Sequence, residues 1–240
     1  MTKINVKGMI TSNDDAEIYS WLGYDTVSPR DVESQLNEAT DPVEVDIASN
    51  GGDVFAASEI YTMLKAYSQK VTVNIQGLAA SAASVIAMAG DTVNMSPTSQ
   101  MMIHKAAMFT EGNADDLSHD SKSLDVTDQS IVNAYEAKTG MNRDQILKMM
   151  SDETWMTAQD AVDKGFADAI SVGQQQPQVV NSIASPILSH DAIGKIKNLL
   201  AKSRSDKPSE PAEKPVKNSA TKEAPSLRDQ KLQILFKEAK

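Results

Sequence analysis

Three features of the chain carry the residue types that acyl transfer requires: a serine among small residues, a histidine at a strand end, and a paired-glycine turn. Hydrolysis of an amide by a serine needs a hydroxyl that can lose its proton, a base to take it, a group that orients the base, and N–H donors aimed at the oxyanion. Ser81 stands in Ala79-Ala80-Ser81-Ala82-Ala83-Ser84, after an apolar strand pattern and in the first turns of a predicted helix. Unpaired N–H groups and the positive end of the helix dipole favour negative charge there, and alanine neighbours let a peptide backbone approach. Ser84, one turn on along the same face, reads as a helix-packing residue. Of the three histidines, His104 in Met101-Met102-Ile103-His104 is the one in a structurally fixed segment. His119 falls on a polar helix face and His190 lies near the tail. In Ala48-Ser49-Asn50-Gly51-Gly52-Asp53 the two glycines can take positive φ or admit a second backbone. Any one of these features is more often structural than chemical; their combination is what points to a nucleophile and its base.

The elements that must position them follow an α/β rhythm from residue 1 to about 172. Strands are predicted over 4–10, 43–47, 71–76, 91–95 and 100–103. A helix opens at Ser28-Pro29-Arg30-Asp31, with a capping serine, proline at the first helical position and acids in the first turns, and runs to about Ala39. Further helices are predicted over 56–67, 77–90, 113–138, 142–150 and 157–164, with Gly165 as the C-cap of the last. Beyond 172 the composition shifts. Residues 173–202 read as a linker with a short amphipathic helix at 192–201. Residues 203–240 read as a basic, proline-punctuated disordered tail, because such a composition buries too little apolar surface to offset backbone ordering at roughly 1–2 kcal/mol per residue. A terminal amphipathic helix is predicted over 227–239.

Bulk composition narrows the function classes. The 240 residues allow one catalytic domain and an appendage. Cysteine is absent and histidine scarce, so neither a disulfide framework nor a thiolate or His-rich metal site is expected. The net charge of −10 is uneven: residues 186–240 hold 12 Lys and Arg against 7 Asp and Glu, a net of +5, which leaves −15 on the body. An acidic body does not offer the concentrated basic face that nucleic acid requires. No signal peptide or run of 18 apolar residues is present, so a cytoplasmic protein with no membrane span is expected.

The blocks Ser49-Asn50-Gly51-Gly52-Asp53-Val54, Gly77-Leu78-Ala79-Ala80-Ser81-Ala82-Ala83-Ser84 and Met102-Ile103-His104 resemble, in order and spacing, the signature blocks of ClpP-type serine peptidases. The likeness continues through Thr139-Gly140 and Trp155-Met156-Thr157-Ala158 to Asp168 and covers about residues 1–172. It implies a ClpP/crotonase-like α/β fold, to which the C-terminal residues add a disordered, partly helical extension. It also implies a cofactor-free Ser-His-Asp/Glu triad and a homo-oligomeric ring. Carried onto this chain, the nucleophile is Ser81, the base His104, and the oxyanion donors are the N–H groups of Gly51 and Ala82. The ungapped register puts Glu153 at the third triad position, with Asp152 beside it as the alternative. Asp168 reads as a structural turn residue.

The short, polar segment 12–23 and Glu153-Thr154-Trp155 resemble the head maturation (prohead) protease branch found in tailed bacteriophages. That branch implies an ATP-independent endopeptidase cleaving scaffold and capsid segments, placed in the host cytoplasm and the assembling prohead, with the basic tail as a recruiting segment. The rival readings are a housekeeping degradative peptidase working with an ATP-dependent unfoldase, a crotonase-like acyl-CoA enzyme, and a non-catalytic capsid assembly protein.

Overall fold

The computed structural model describes residues 2–171 and 193–198. The chain divides into two units, Met1–Ala16 with Asp25–Ile187, and Glu17–Tyr24 with Leu188–Lys240. In the second, Tyr19 and Tyr24 meet edge to face with ring centroids 6.2 Å apart. Residues 193–198 are helical, with Ile193 and Ile196 buried. This covers part of the helix predicted over 192–201. The rest of the predicted linker, the tail 203–240 and its terminal helix lie outside the described residues.

In chain order the elements are β1 (Thr2–Ile10), α1 (Ala16–Trp21), β2 (Thr26–Val27), α2 (Pro29–Glu38), β3 (Val43–Gly52), α3 (Val54–Ala66), β4 (Val71–Ala80), α4 (Ala82–Ala87), β5 (Thr92–Met95), β6 (Gln100–Ile103), α5 (Ala114–Thr139), α6 (Arg143–Ser151), β7 (Thr154–Thr157), α7 (Ala158–Asp163) and β8 (Ala169–Ile170). The first unit is built on a sheet ordered β2-β1-β3-β4-β5-β8, in which all neighbours are parallel. Strand alternation sends Ile4, Val6, Val43, Val45, Ile47, Val71, Val73, Ile75, Val93 and Met95 into one core with Ile86, Tyr135 and Phe166. Parallel sheets are usually apolar on both faces; this one is not. The alternating positions set Asn5, Asp46, Asn74 and Asn94 in register, and Asn94 donates to Asn74 Oδ1 at 3.1 Å.

The sheet forks at β4. Its first half pairs with β5 (Thr72 to Ile75), and its second half with β6, Leu78, Ala79 and Ala80 facing Gln100, Met101 and Met102. β6 is extended by antiparallel β7. The helix predicted over 77–90 is therefore shorter than expected. Residues 77–80 are strand and only 82–87 are helical, because the β6 ladder satisfies their backbone groups while alanine's helix propensity is worth only tenths of a kcal/mol per residue.

Helix ends follow local chemistry. The Asp31 carboxylate accepts from the Ser28 N–H at 2.8 Å and from its hydroxyl at 2.7 Å, which fixes the start of α2. Asp53 caps α3 by accepting from Phe55 and Ala56 N–H. Gly140 and Gly165 close α5 and α7 at positive φ. Asp168 has the expected structural part: its carboxylate accepts from Val93 N–H and from Lys138, both at 2.6 Å, tying β5 to α5.

Candidate active site

The fork in the sheet brings the predicted nucleophile and base together. Ser81 N–H donates to Met102 O at 2.9 Å, one step beyond the Ala80–Met102 pair. His104 follows two residues after Met102. Its Nε2 lies 2.7 Å from Ser81 Oγ, the separation at which a hydroxyl proton passes to an imidazole. Both side chains are partly accessible.

Ser81 adopts φ 54, ψ −125, a conformation that costs a non-glycine residue roughly 1–3 kcal/mol and persists only where its surroundings fix it. Three bonds fix it here. Besides the bond to Met102, the Ser81 carbonyl accepts from Ser84 N–H at 2.9 Å and from Ser84 Oγ at 2.6 Å. Ser84 is fully buried and its hydroxyl also meets Tyr135 OH at 2.8 Å. It packs as expected, and it also carries a hydrogen-bond role that sequence reasoning missed.

The glycine turn presses on the nucleophile. A Cβ on Gly51 would lie 2.7 Å from Ala80 O, 2.8 Å from Ser81 Cβ and 3.1 Å from Ala82 N. Gly51 and Gly52 both take positive φ, 98 and 148. Gly51 does not sit as an oxyanion donor, however, because its N–H donates to Ser49 Oγ at 3.0 Å, and Ser49 Oγ donates onward to Gly8 O at 2.6 Å. Gly51 supplies close backbone approach instead. Gly52 lies against β1, where it pairs with Ile10 and where Asp53 N–H bonds Ile10 O at 2.9 Å. Ala82, the other expected donor, is the first residue of α4, where an N–H has no intrahelical acceptor.

The two candidate carboxylates separate. Asp152 caps the end of α6 and pairs with Lys148 at 2.7 Å. Glu153 follows at φ 48. The β6/β7 ladder ends at the Ile103–Thr154 pair, so His104 follows β6 and Glu153 precedes β7 at the same end of the ladder. The Glu153 carboxylate accepts from Trp155 Nε1 at 3.2 Å, and neither carboxylate is hydrogen-bonded to the imidazole. The segment after His104 is pinned by Lys105 N–H to Met150 O at 3.1 Å and by Ala106 N–H to the buried Asp128 at 2.7 Å. No His, Cys, Asp and Glu cluster among the described residues could hold a metal ion, and none of the described helices is long and apolar enough to cross a membrane.

A strained serine at the end of a parallel strand, touching a histidine and overhung by a glycine turn, is the arrangement of a serine hydrolase. Residues 32–174 match the family model for Clp protease, and the chain belongs to that family. It is 33% identical over 140 residues to the ATP-dependent Clp protease proteolytic subunit 1 of Chlamydia abortus, covering 57% of this chain and 73% of the relative. It is 31% identical over 140 residues to the subunit of the same name from Protochlamydia amoebophila, covering 57% and 68%. A solved ClpP1 mutant structure from Listeria monocytogenes superposes with a TM-score of 0.59 at 22% identity, covering 72% of this chain and 92% of that one. The fold is ClpP-like, and the protein is a serine endopeptidase.

Proposed function

We propose that the chain hydrolyses extended polypeptides with Ser81 as nucleophile, His104 as general base and acid, and the N–H group of Ala82 as an oxyanion donor. The observation that carries this reading is the 2.7 Å contact between His104 Nε2 and Ser81 Oγ on a strained serine. Ser81 Oγ attacks the scissile carbonyl carbon as its proton passes to His104 Nε2. The C–N bond then breaks while His104 returns that proton to the leaving amine, and water, activated by the same imidazole, releases the acyl group from Ser81. Glu153 is the carboxylate assigned to orient the imidazole: it directly precedes Thr154, which pairs with the residue before His104, while Asp152 pairs with Lys148. The substrate lies along the segment that follows Ala106, whose exposed Met108 and Phe109 offer apolar contact, with main-chain pairing supplying much of the affinity.

The names of the relatives favour the proteolytic subunit of an ATP-dependent protease; in that reading the chain assembles into a homo-oligomeric ring and degrades chains delivered by an ATP-dependent unfoldase. A second reading is head maturation, favoured by the polar segment 12–23 and the basic extension of net +5; its substrates would be scaffold and capsid segments in an assembling prohead. Hydrolysis of a folded protein only with an added Clp ATPase and ATP supports the first. ATP-free self-cleavage or cleavage of a co-expressed capsid protein supports the second. Failure of the purified protein to hydrolyse any short fluorogenic peptide would overturn both.

A further inference from the structure

We infer that Tyr135 and Ser84 form a relay that aims and strengthens the Ala82 N–H as an oxyanion donor, acting through the carbonyl of Ser81; this rests on the peptidase reading above. The directions of the bonds follow from proton counting. The Ser81 carbonyl can only accept, so the single Ser84 hydroxyl proton is donated to it across 2.6 Å. The 2.8 Å contact between Ser84 Oγ and Tyr135 OH then has Tyr135 as donor. The chain runs Tyr135 O–H to Ser84 O–H to the Ser81 carbonyl, which also takes the Ser84 N–H at 2.9 Å.

That carbonyl shares a peptide plane with the Ala82 N–H. No peptide bond among the described residues is cis, and in a planar trans peptide the C=O and N–H point in opposite directions. Holding the oxygen toward Ser84 therefore holds the Ala82 N–H away from the helix, toward the space beside Ser81 Oγ. Two donors on the oxygen also draw electron density from the amide nitrogen, and hydrogen bonds polarised in series strengthen one another in a buried setting. Ser84 and Tyr135 are 0% and 1% exposed, and Tyr135 packs on Phe166 with ring centroids 5.7 Å apart, so the relay has no competing water. Burial pushes the Tyr135 phenol well up, with the Ser84 bond pulling weakly the other way, and the hydroxyl keeps its proton at any working pH. Both residues are positioning residues and touch no substrate.

The test uses the full chain, with Tyr135→Phe, Ser84→Ala, Ser84→Cys and the double variant Tyr135→Phe/Ser84→Ala. Tyr135→Phe keeps the ring on Phe166 and so retains the packing even if a Ser84 variant fails to fold. Ser84→Cys keeps the volume with a poor donor. The readouts are the rate of Ser81 phosphonylation by a fluorophosphonate, affinity for a peptide boronate that places an oxygen in the oxyanion site, and affinity for the corresponding product peptide. Expected are falls of about 10-fold for Tyr135→Phe and about 10–10²-fold for Ser84→Ala and Ser84→Cys, less than or equal to the ~10²–10³-fold cost of deleting an oxyanion donor. Boronate affinity should fall in step while product affinity stays unchanged. The double variant should be no slower than Ser84→Ala, because Tyr135 acts only through Ser84. Folded variants with wild-type rates, losses that add in the double variant, or equal weakening of boronate and product would overturn the relay alone. A wild-type protein inert to the phosphonate and to peptides would overturn the peptidase reading and the relay together.

Discussion

Gly51→Ala should remove most activity while leaving a folded protein. The backbone at Gly51 has φ 98, and an L side chain in the left-handed region costs about 1–2 kcal/mol. The new methyl would also stand 2.7 Å from Ala80 O and 2.8 Å from Ser81 Cβ, and overpacking of this kind costs about 1–3 kcal/mol. Together these give a stability loss of about 2–5 kcal/mol. Relief requires β4 to shift at Ala80–Ser81, the point held by the Ser81–Met102 bond of 2.9 Å, so the strain is released into the nucleophile. A displacement approaching 1 Å there lowers kcat/KM about 10²-fold. Gly140→Ala is the control: φ is 67 but its added Cβ would meet nothing within 4 Å beyond its own chain neighbours, so it should cost only the backbone penalty of about 1–2 kcal/mol, with kcat/KM unchanged. Urea denaturation and hydrolysis of a fluorogenic peptide read both quantities. A Gly51→Ala protein that turns over peptide at the wild-type rate would refute the claim that the glycine turn bears on Ser81.

Three further outcomes follow from single contacts. Glu153→Gln should lower kcat at least 10-fold, while Asp152→Asn should change it by less than about 2-fold, since Asp152 faces Lys148; equal effects in peptide assays would reject Glu153 as the orienting carboxylate. The Asp168 carboxyl is held below its ordinary value: partial burial pushes it up, but the Lys138 and Val93 hydrogen bonds and the Lys138 charge outweigh this. Its contribution is therefore present above the unfolded value and lost as pH falls through the lower folded value. Asp168→Asn should cost about 0.5–1 kcal/mol at pH 7, a range that allows for solvent screening, and the gap from wild type in thermal melts should close below about pH 4. Asp128→Ala removes the acceptor of the Ala106 N–H and should cost about 1–3 kcal/mol by urea denaturation, with the segment after His104 becoming more sensitive to proteolysis.

The strand and helix order was legible because apolar alternation in Val43-Glu44-Val45-Asp46-Ile47 and Val71-Thr72-Val73-Asn74-Ile75 has the period of a strand, and because Ser28-Pro29 and Gly165 mark helix ends. The pairing of Ser81 with His104 was legible from residue type and order alone. What escaped depends on partners distant in sequence. Gly77–Ala80 read as helix until β6 supplied the ladder for its backbone. The short strand Thr154–Thr157 exists only as the partner of β6. The engagement of Gly51 N–H by Ser49 depends on the bulge in β3 opposite Gly8. The Ser84–Tyr135 contact joins residues 51 apart, a separation over which no local pattern speaks.

The most direct test of the account is fluorophosphonate labelling of the purified protein followed by peptide mass spectrometry. One adduct per chain is expected on Ser81, with no labelling of Ser81→Ala and strongly slowed labelling of His104→Ala. An adduct on another serine, or labelling that persists in Ser81→Ala, would contradict it.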